Sequence, residues 1–337
     1  MTIAGLGPHG ERAVPANQIA LSAADEMEAH RRRFAVAAVL HTTTSDWSKQ
    51  ELAGIVTMLG RYGAAVVEVV DCGFEVAAQI AALHRLADAA VDAVISIPIG
   101  NAEVAEAHRA VTRAGKSLVL LDNAPTGLLP GTDYASVVST DNFGLGQTCA
   151  SLLSPHIGEG GLVGILGYAN DFYATHEREI AFRKWMATLR TDVTIVRERF
   201  VSPERAEEAV LGLLERSPQL AGLFAVWDVP AMKAVSTLRG TGRELAIATV
   251  DLGNEAAIEM VSGGMIKGIG AQLPYDQGAA AATATLLALM KAPVPPWVAL
   301  PGLAVTSENA VEAYQLVWHQ PAPGALMSSR LRDTSTP

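Results

Sequence analysis

Phe34-Ala35-Val36-Ala37-Ala38-Val39-Leu40 runs directly into His41-Thr42-Thr43-Thr44-Ser45-Asp46-Trp47. Seven apolar residues without a polar break read as a strand covered on both faces, which points to a parallel sheet sandwiched by helices. Working outward, the same kind of run recurs at residues 64–70, 92–99, 117–122 and 136–140, then at 161–167, 193–200, 220–227, 245–251 and 265–272. The segments between them have helical spacing. Residues 74–89 put Val76, Ile80, Leu83 and Leu86 on one face, and 203–215 open with Ser202 as a cap and Pro203 in the first turn. Residues 275–290 are Ala-rich and long enough for about four turns. Strands alternating with helices at this spacing predict a doubly wound α/β fold. The alternation restarts near Asp141, so two similar parallel-sheet lobes are expected.

The totals agree. The chain has 337 residues, of which 50% are hydrophobic and 18% charged; a domain usually takes about 100–200 residues, so two lobes are the default. The formal net charge of -10 speaks against a nucleic-acid partner, which needs a basic face. Arg31-Arg32-Arg33 reads as a solvated helix end. Two cysteines, Cys72 and Cys149, make no disulfide framework. Residues 1–33 hold no apolar run of the length a secretory signal needs, about 7–15 residues, and no segment approaches the roughly 20 of a membrane span.

Ligands of open parallel sheets sit beyond the carboxyl ends of the strands, so the residues after each run carry the functional reading. They are His41 to Trp47; Asp122 and Asn123; Ser139-Thr140-Asp141-Asn142; Tyr168 to Tyr173, including Phe172, with Thr175 to Arg178 opening a helix; Trp227 and Asp228; Asp251; and Gln272. The set is rich in Asp, Asn, Gln and Thr, with one Arg and a few aromatics. Hydroxyl groups both donate and accept, and carboxylates, amides and a guanidinium satisfy several at once. Aromatic faces cover the C–H side of a polyol. Few cations disfavour an anionic ligand. Each such Asp or Asn is also an ordinary turn or cap residue; the reading rests on seven strand ends agreeing. Asp141 and Asn142 look most like a cap or a hinge.

From Phe34 to Asn309 the chain resembles the periplasmic sugar-binding proteins of the ribose-binding type, whose fold is shared with the effector domain of lac-repressor-like regulators. The residues that carry the resemblance are Thr44-Ser45-Asp46-Trp47, Leu121-Asp122, Ser139-Thr140-Asp141-Asn142, Glu177-Arg178 with Phe182, Phe224 to Asp228, Val250-Asp251 and Ala271-Gln272-Leu273-Pro274. The resemblance implies ligand contacts from Thr44, Ser45, Asp46, Trp47, Asp122, Arg178, Asp251 and Gln272, to which the strand-end reading adds Asn123, Phe172 and Trp227. It implies a three-strand hinge near Thr140-Asp141, Gln272-Leu273 and Leu303-Ala304, with the ligand in the cleft between lobes. The expected division is a leader at 1–33, mobile or a peripheral helix; a first lobe of 34–140 plus 273–303; a second of 141–272 plus 304–320; and a mobile tail at 321–337. Two positions depart from the ribose-type pattern, Trp227 where Asn is common and Asn123 where Arg is common. They turn the expectation away from ribose and toward a small sugar or a short linear sugar alcohol.

The resemblance further implies a monomeric, non-catalytic protein that works outside the cytoplasm with the membrane subunits of an ABC transporter, without cofactor or metal. A cytoplasmic sugar-responsive sensor, or a lac-repressor-like regulator lacking its DNA-binding module, is the alternative. Gly5-Leu6-Gly7-Pro8-His9-Gly10 spells a dinucleotide-binding fingerprint, but no strand feeds it and Pro8 disrupts the helix start. No nucleophile elbow, His-Glu-x-x-His helix or Cys-x-x-Cys pair suggests catalysis.

Overall fold

A computed structural model describes residues 3–327. Along the chain come β1 (Val14–Pro15), α1 (Ala23–Arg32), β2 (Ala35–Leu40), α2 (Asp46–Arg61), β3 (Ala65–Asp71), α3 (Val76–Asp88), β4 (Ala93–Ser96), α4 (Ala102–Arg113), β5 (Ser117–Leu121) and β6 (Ser136–Thr140). They are followed by α5 (Asn142–Leu153), β7 (Leu162–Tyr168), α6 (Tyr173–Leu189), β8 (Thr194–Phe200), α7 (Ala206–Arg216), β9 (Leu220–Ala225) and α8 (Asp228–Gly240). The last are β10 (Ala246–Val250), α9 (Asn254–Val261), β11 (Ile266–Ala271), α10 (Pro274–Leu289), β12 (Trp297–Leu300), β13 (Leu303–Val305) and α11 (Ala310–Trp318). The chain forms two compact units. Among the described residues, unit 1 is 3–141, 172–174 and 273–301; unit 2 is 142–171, 175–272 and 302–327.

Unit 1 holds a seven-stranded sheet in the order β1-β12-β6-β5-β4-β2-β3, and all its pairings are parallel. Side chains alternate across a strand, and the two faces are covered separately. Val36, Ile95, Val119, Leu121, Val138 and Val298 pack with Ile55 and Leu59 of α2 and the alanines of α10. Ala37, Val39, Val94, Leu118, Leu120 and Val137 pack with Leu83 and Leu86 of α3 and Val111 of α4. Helices on both faces explain why these strands read as unbroken apolar runs.

Unit 2 repeats the plan with six strands, β13-β11-β10-β9-β7-β8. β13 runs antiparallel to β11, and the remaining pairings are parallel. α5 lies on β10 and β11, and α7 on β7 and β8.

Some details differ from the sequence expectation. Of the leader expected at 1–33, the described residues 3–33 are built into unit 1: β1 pairs with Val298 and Ala299 of β12, and Leu21 and Ala29 are buried in its core. Phe172–Ala174 group with unit 1, and the last passage between units falls at 301–302. Ser202 makes no side-chain cap; Pro203–Arg205 form a 3-10 turn and α7 starts after it. In the expected tail, Ala322 and Leu326 are buried; residues 328–337 of that expectation lie outside the described residues. Among the described residues no helix is long and apolar enough to cross a membrane.

Candidate functional site

A doubly wound sheet opens a crevice where the strand order reverses. In unit 1 that point is between β2 and β4, and in unit 2 between β7 and β9. Each unit therefore presents its own carboxyl-end face.

On unit 1, the loop after β2 leads into α2. Ser45 caps that helix: its Oγ accepts from the Ser48 N–H at 3.1 Å and lies 2.9 Å from the Ser48 Oγ. Thr42 and Thr44 pair hydroxyls at 2.9 Å. Thr44 and Asp46 are exposed, whereas Trp47 is buried. The indole lies edge-on to His41, ring centroids 5.8 Å apart, and its buried Nε1 has no hydrogen-bond partner. Burial pushes the His41 imidazole down to about 4, against the pull of Asp71, so the ring beside Trp47 is neutral. Phe172 is half-buried against the same core.

Directly after β5 comes Asp122, whose φ of +55° is left-handed, a conformation Asp tolerates better than most residues. Its N–H donates to the Val138 carbonyl at 3.1 Å. Its Oδ1 accepts from Gln277 Nε2 at 3.1 Å, and Gln277 Oε1 accepts from the Thr140 hydroxyl at 3.0 Å. Behind this chain lies Glu51 of α2, fully buried, with both carboxyl oxygens unpartnered. Asn123 is occupied otherwise: its Nδ2 donates to the carbonyls of Pro98 at 3.3 Å and Gly100 at 2.8 Å, and its Oδ1 accepts from the Tyr173 N–H at 3.3 Å. Those bonds tie three loops together.

On unit 2, β10 is followed by Asp251, again left-handed at φ +73°, with its N–H donating to the Gly270 carbonyl at 3.1 Å. Gln272 Nε2 donates to Asp251 Oδ1 at 2.6 Å, while the buried Gln272 Oε1 has no partner. Arg178 is 4% exposed. Its Nε donates to Asn142 Oδ1 and its Nη1 to the Val226 carbonyl, both at 2.8 Å. Burial raises the Asp251 carboxyl above the ordinary carboxylate range, while the Arg178 guanidinium and the Gln272 amide hold it back. Trp227 is half-buried, edge-on to Tyr168 at 5.3 Å and to Phe200 at 5.0 Å. These three rings wall the β7–β9 switch point.

So unit 2 brings together Arg178, Asp251 and Gln272, with Trp227 next to the Val226 whose carbonyl Arg178 holds; in unit 1 Trp47 and Phe172 share one core, while Asp122 is held by Gln277. Ser45 and Asn123 spend their polar atoms on the local backbone. Sequence reading passed over Glu51 and Gln277, and took Asn142, which accepts from Arg178, for a cap or a hinge. Glu51 had a signal, being a carboxyl four residues from Trp47 and from Ile55 on the buried face of α2. Among the described residues no group of three or more His, Cys, Asp or Glu could hold a metal ion.

Residues 36–292 match the family model described as a periplasmic binding protein domain. The chain belongs to that family. No curated protein matches it. Among solved structures, this periplasmic binding protein is similar to an ABC transporter solute-binding protein from Agrobacterium vitis bound with alpha-D-tagatopyranose, at 18% identity and a TM-score of 0.78, covering 85% of this chain and 100% of that one. It is similar to one from Mycobacterium smegmatis with bound glycerol, at 19% identity and TM-score 0.76, covering 86% and 99%. A further one from Agrobacterium vitis, with bound allitol, has 19% identity and TM-score 0.72, covering 84% and 98%. At such identities the likeness establishes the fold, the type I periplasmic binding fold.

Proposed function

We propose that this periplasmic binding protein is the solute-binding component of an ABC transporter and takes a small neutral sugar or sugar alcohol, a short linear polyol rather than ribose. The observation that carries the reading is the Arg178–Asp251–Gln272 cluster. It has a guanidinium already oriented by Asn142 and Val226, a carboxylate braced by an amide, and a buried carbonyl oxygen, Gln272 Oε1, that lacks a donor. Leaving such an acceptor unmade costs about 1–3 kcal/mol, which a hydroxyl of the ligand would recover. Asp122 and the unpartnered Trp47 Nε1 offer an acceptor and a donor on unit 1, and Trp227 narrows the site. The relatives bound with tagatopyranose, glycerol and allitol support the ligand class.

In this reading the protein is a monomer of the periplasm or cell envelope. In its loaded form it docks on the membrane subunits. No catalysis is involved. Calorimetric titration with tetritols, pentitols, hexitols, pentoses and hexoses tests it, together with thermal shift. A ligand at a hundred times its Kd should add about 2.7 kcal/mol of stability. A response to phosphorylated compounds or amino acids alone would sink the reading.

A further inference from the structure

Glu51 has no role in the site as built so far, yet its placement is singular. It is fully buried between α2 and α10, two helices that meet at very short range. A Cβ added at Gly278 would stand 2.0 Å from the Glu51 carbonyl oxygen, and one at Gly54 2.0 Å from that of Tyr275. Such a crossing excludes water. Neither Glu51 carboxyl oxygen has a hydrogen-bond partner. The Gln277 amide on α10 is near without reaching hydrogen-bonding geometry. That amide is held at both ends, by Thr140 and by Asp122. An amide nitrogen carries two hydrogens, and Asp122 takes one. The second is left for Glu51.

We propose that Glu51 is a positioning residue for Asp122: its uncharged carboxyl sets where the Asp122 carboxylate stands through Gln277, and ligand binding is thereby tied to one proton held inside unit 1. The proposal rests on the reading of Asp122 as a ligand contact. A neutral acid in this place accepts from Gln277 and lets Asp122 keep its charge. An ionised one sets two buried carboxylates against each other, and like charges in a low dielectric repel strongly.

The surroundings agree. Burial, then the charge of Asp122, pushes the Glu51 carboxyl well above the ordinary value of 4.5, with the Gln277 amide offsetting part. Asp122, at the end of β5, is the charged group that acts on it. α10 faces it with Gln277 and β6 with Thr140, both uncharged. His41 and Asp71, at the ends of β2 and β3, act on each other. Asp141, after β6, accepts from the Ala4 and Gly5 N–H groups.

The test is calorimetric titration with allitol, D-tagatose and glycerol from acidic to alkaline pH, on wild type, Glu51→Gln, Glu51→Leu and Asp122→Asn. Wild-type Kd should be level on the acid side and then rise, by up to about tenfold per pH unit once Glu51 ionises. Glu51→Leu should bind more weakly at every pH. Glu51→Gln, which keeps the donor and acceptor and cannot ionise, should restore binding and lose the alkaline rise. A rise that persists in Glu51→Gln overturns the proposal. If no probe binds wild type, the polyol reading fails by itself. Infrared spectra then decide on Glu51, because the ligand-free wild type must show a protonated-carboxyl band near neutral pH that Glu51→Gln removes. Absence of that band overturns the proposal; should Glu51→Gln not fold, selective labelling of glutamate carboxyls in wild type gives the same answer.

Discussion

In unit 1, β5 is followed by Asp122 at φ +55°, and in unit 2, β10 is followed by Asp251 at φ +73°. Each donates its N–H to the neighbouring strand at 3.1 Å, and each carboxylate accepts from a glutamine, Gln277 or Gln272. The helices repeat as well. From Asp46 at the start of α2 to Glu51 is five residues (51 minus 46), and from Tyr173 at the start of α6 to Arg178 is also five (178 minus 173). A Cβ at Gly278 of α10 would meet the Glu51 carbonyl oxygen at 2.0 Å, and one at Gly146 of α5 would meet that of Arg178 at 2.2 Å. One backbone frame is thus armed twice, once with an acid and once with a base. The lesson is that the frame holds an aspartate in a left-handed turn, and the side chain on the adjacent helix decides that aspartate's electrostatics.

Substitutions can break this pairing in graded ways. The largest effect is expected from Arg178→Met, which leaves Asp251 buried without its cation. It also strips Asn142 and the Val226 carbonyl of a charged donor, and hydrogen bonds to charged groups are worth about 1.5–3 kcal/mol each, so calorimetry should find ligand binding lost and thermal unfolding should come earlier. Asp122→Asn keeps a residue tolerant of the left-handed turn. It should weaken binding by about 1.5–3 kcal/mol, the range for a hydrogen bond to a charged group, with the fold intact by circular dichroism. Gly278→Ala and Gly146→Ala push the paired helices apart in one unit each, and overpacking of this kind costs about 1–3 kcal/mol. Similar losses in Tm from the two would confirm that the frames are equivalent.

Trp227→Asn removes a ring with no counterpart in the comparison; it should reorder affinities across polyols and pentoses, and an unchanged ranking would rule Trp227 out as a specificity wall. The smallest effect is on stability. A carboxyl whose folded value lies above 4.5 contributes stability below that pH and loses it as pH rises through the folded value. Glu51→Gln should therefore raise Tm over wild type by about 2–4 °C near neutral pH, with the gap closing under acid.

The strands were legible because helices cover both faces of each sheet, so apolar character is almost unbroken. β3 was read alongside the others, although as an edge strand it leaves Val67 and Val69 exposed. The ends of β5, β10 and β11 were legible too, since Asp122, Asp251 and Gln272 stand just past apolar runs. Asn123 looked like a lost cation; its amide instead fastens the loops after β4 and β5. Glu51 and Gln277 are invisible to a strand-end search because they reach Asp122 from two helices far apart in sequence, and only the close crossing at Gly54 and Gly278 brings them together. Val14–Pro15 is too short for any periodicity to register.

That short strand has a consequence for self-association. Unpaired sheet edges are templates on which a second copy can add a strand, and proteins blunt them with proline, charge or brevity. Here β1 closes one edge with Pro15, which has no N–H to offer. At the opposite edge β3 carries Glu68, paired with Arg85, and ends in Asp71. In the second sheet one edge is Leu303–Val305, three residues long, and the other, β8, carries Arg197-Glu198-Arg199 with ion pairs to Arg216 and Glu179. Among the described residues, each of the two sheets is therefore blunted at both edges, by proline, by brevity or by charge, which leaves an added strand little unpaired backbone to extend.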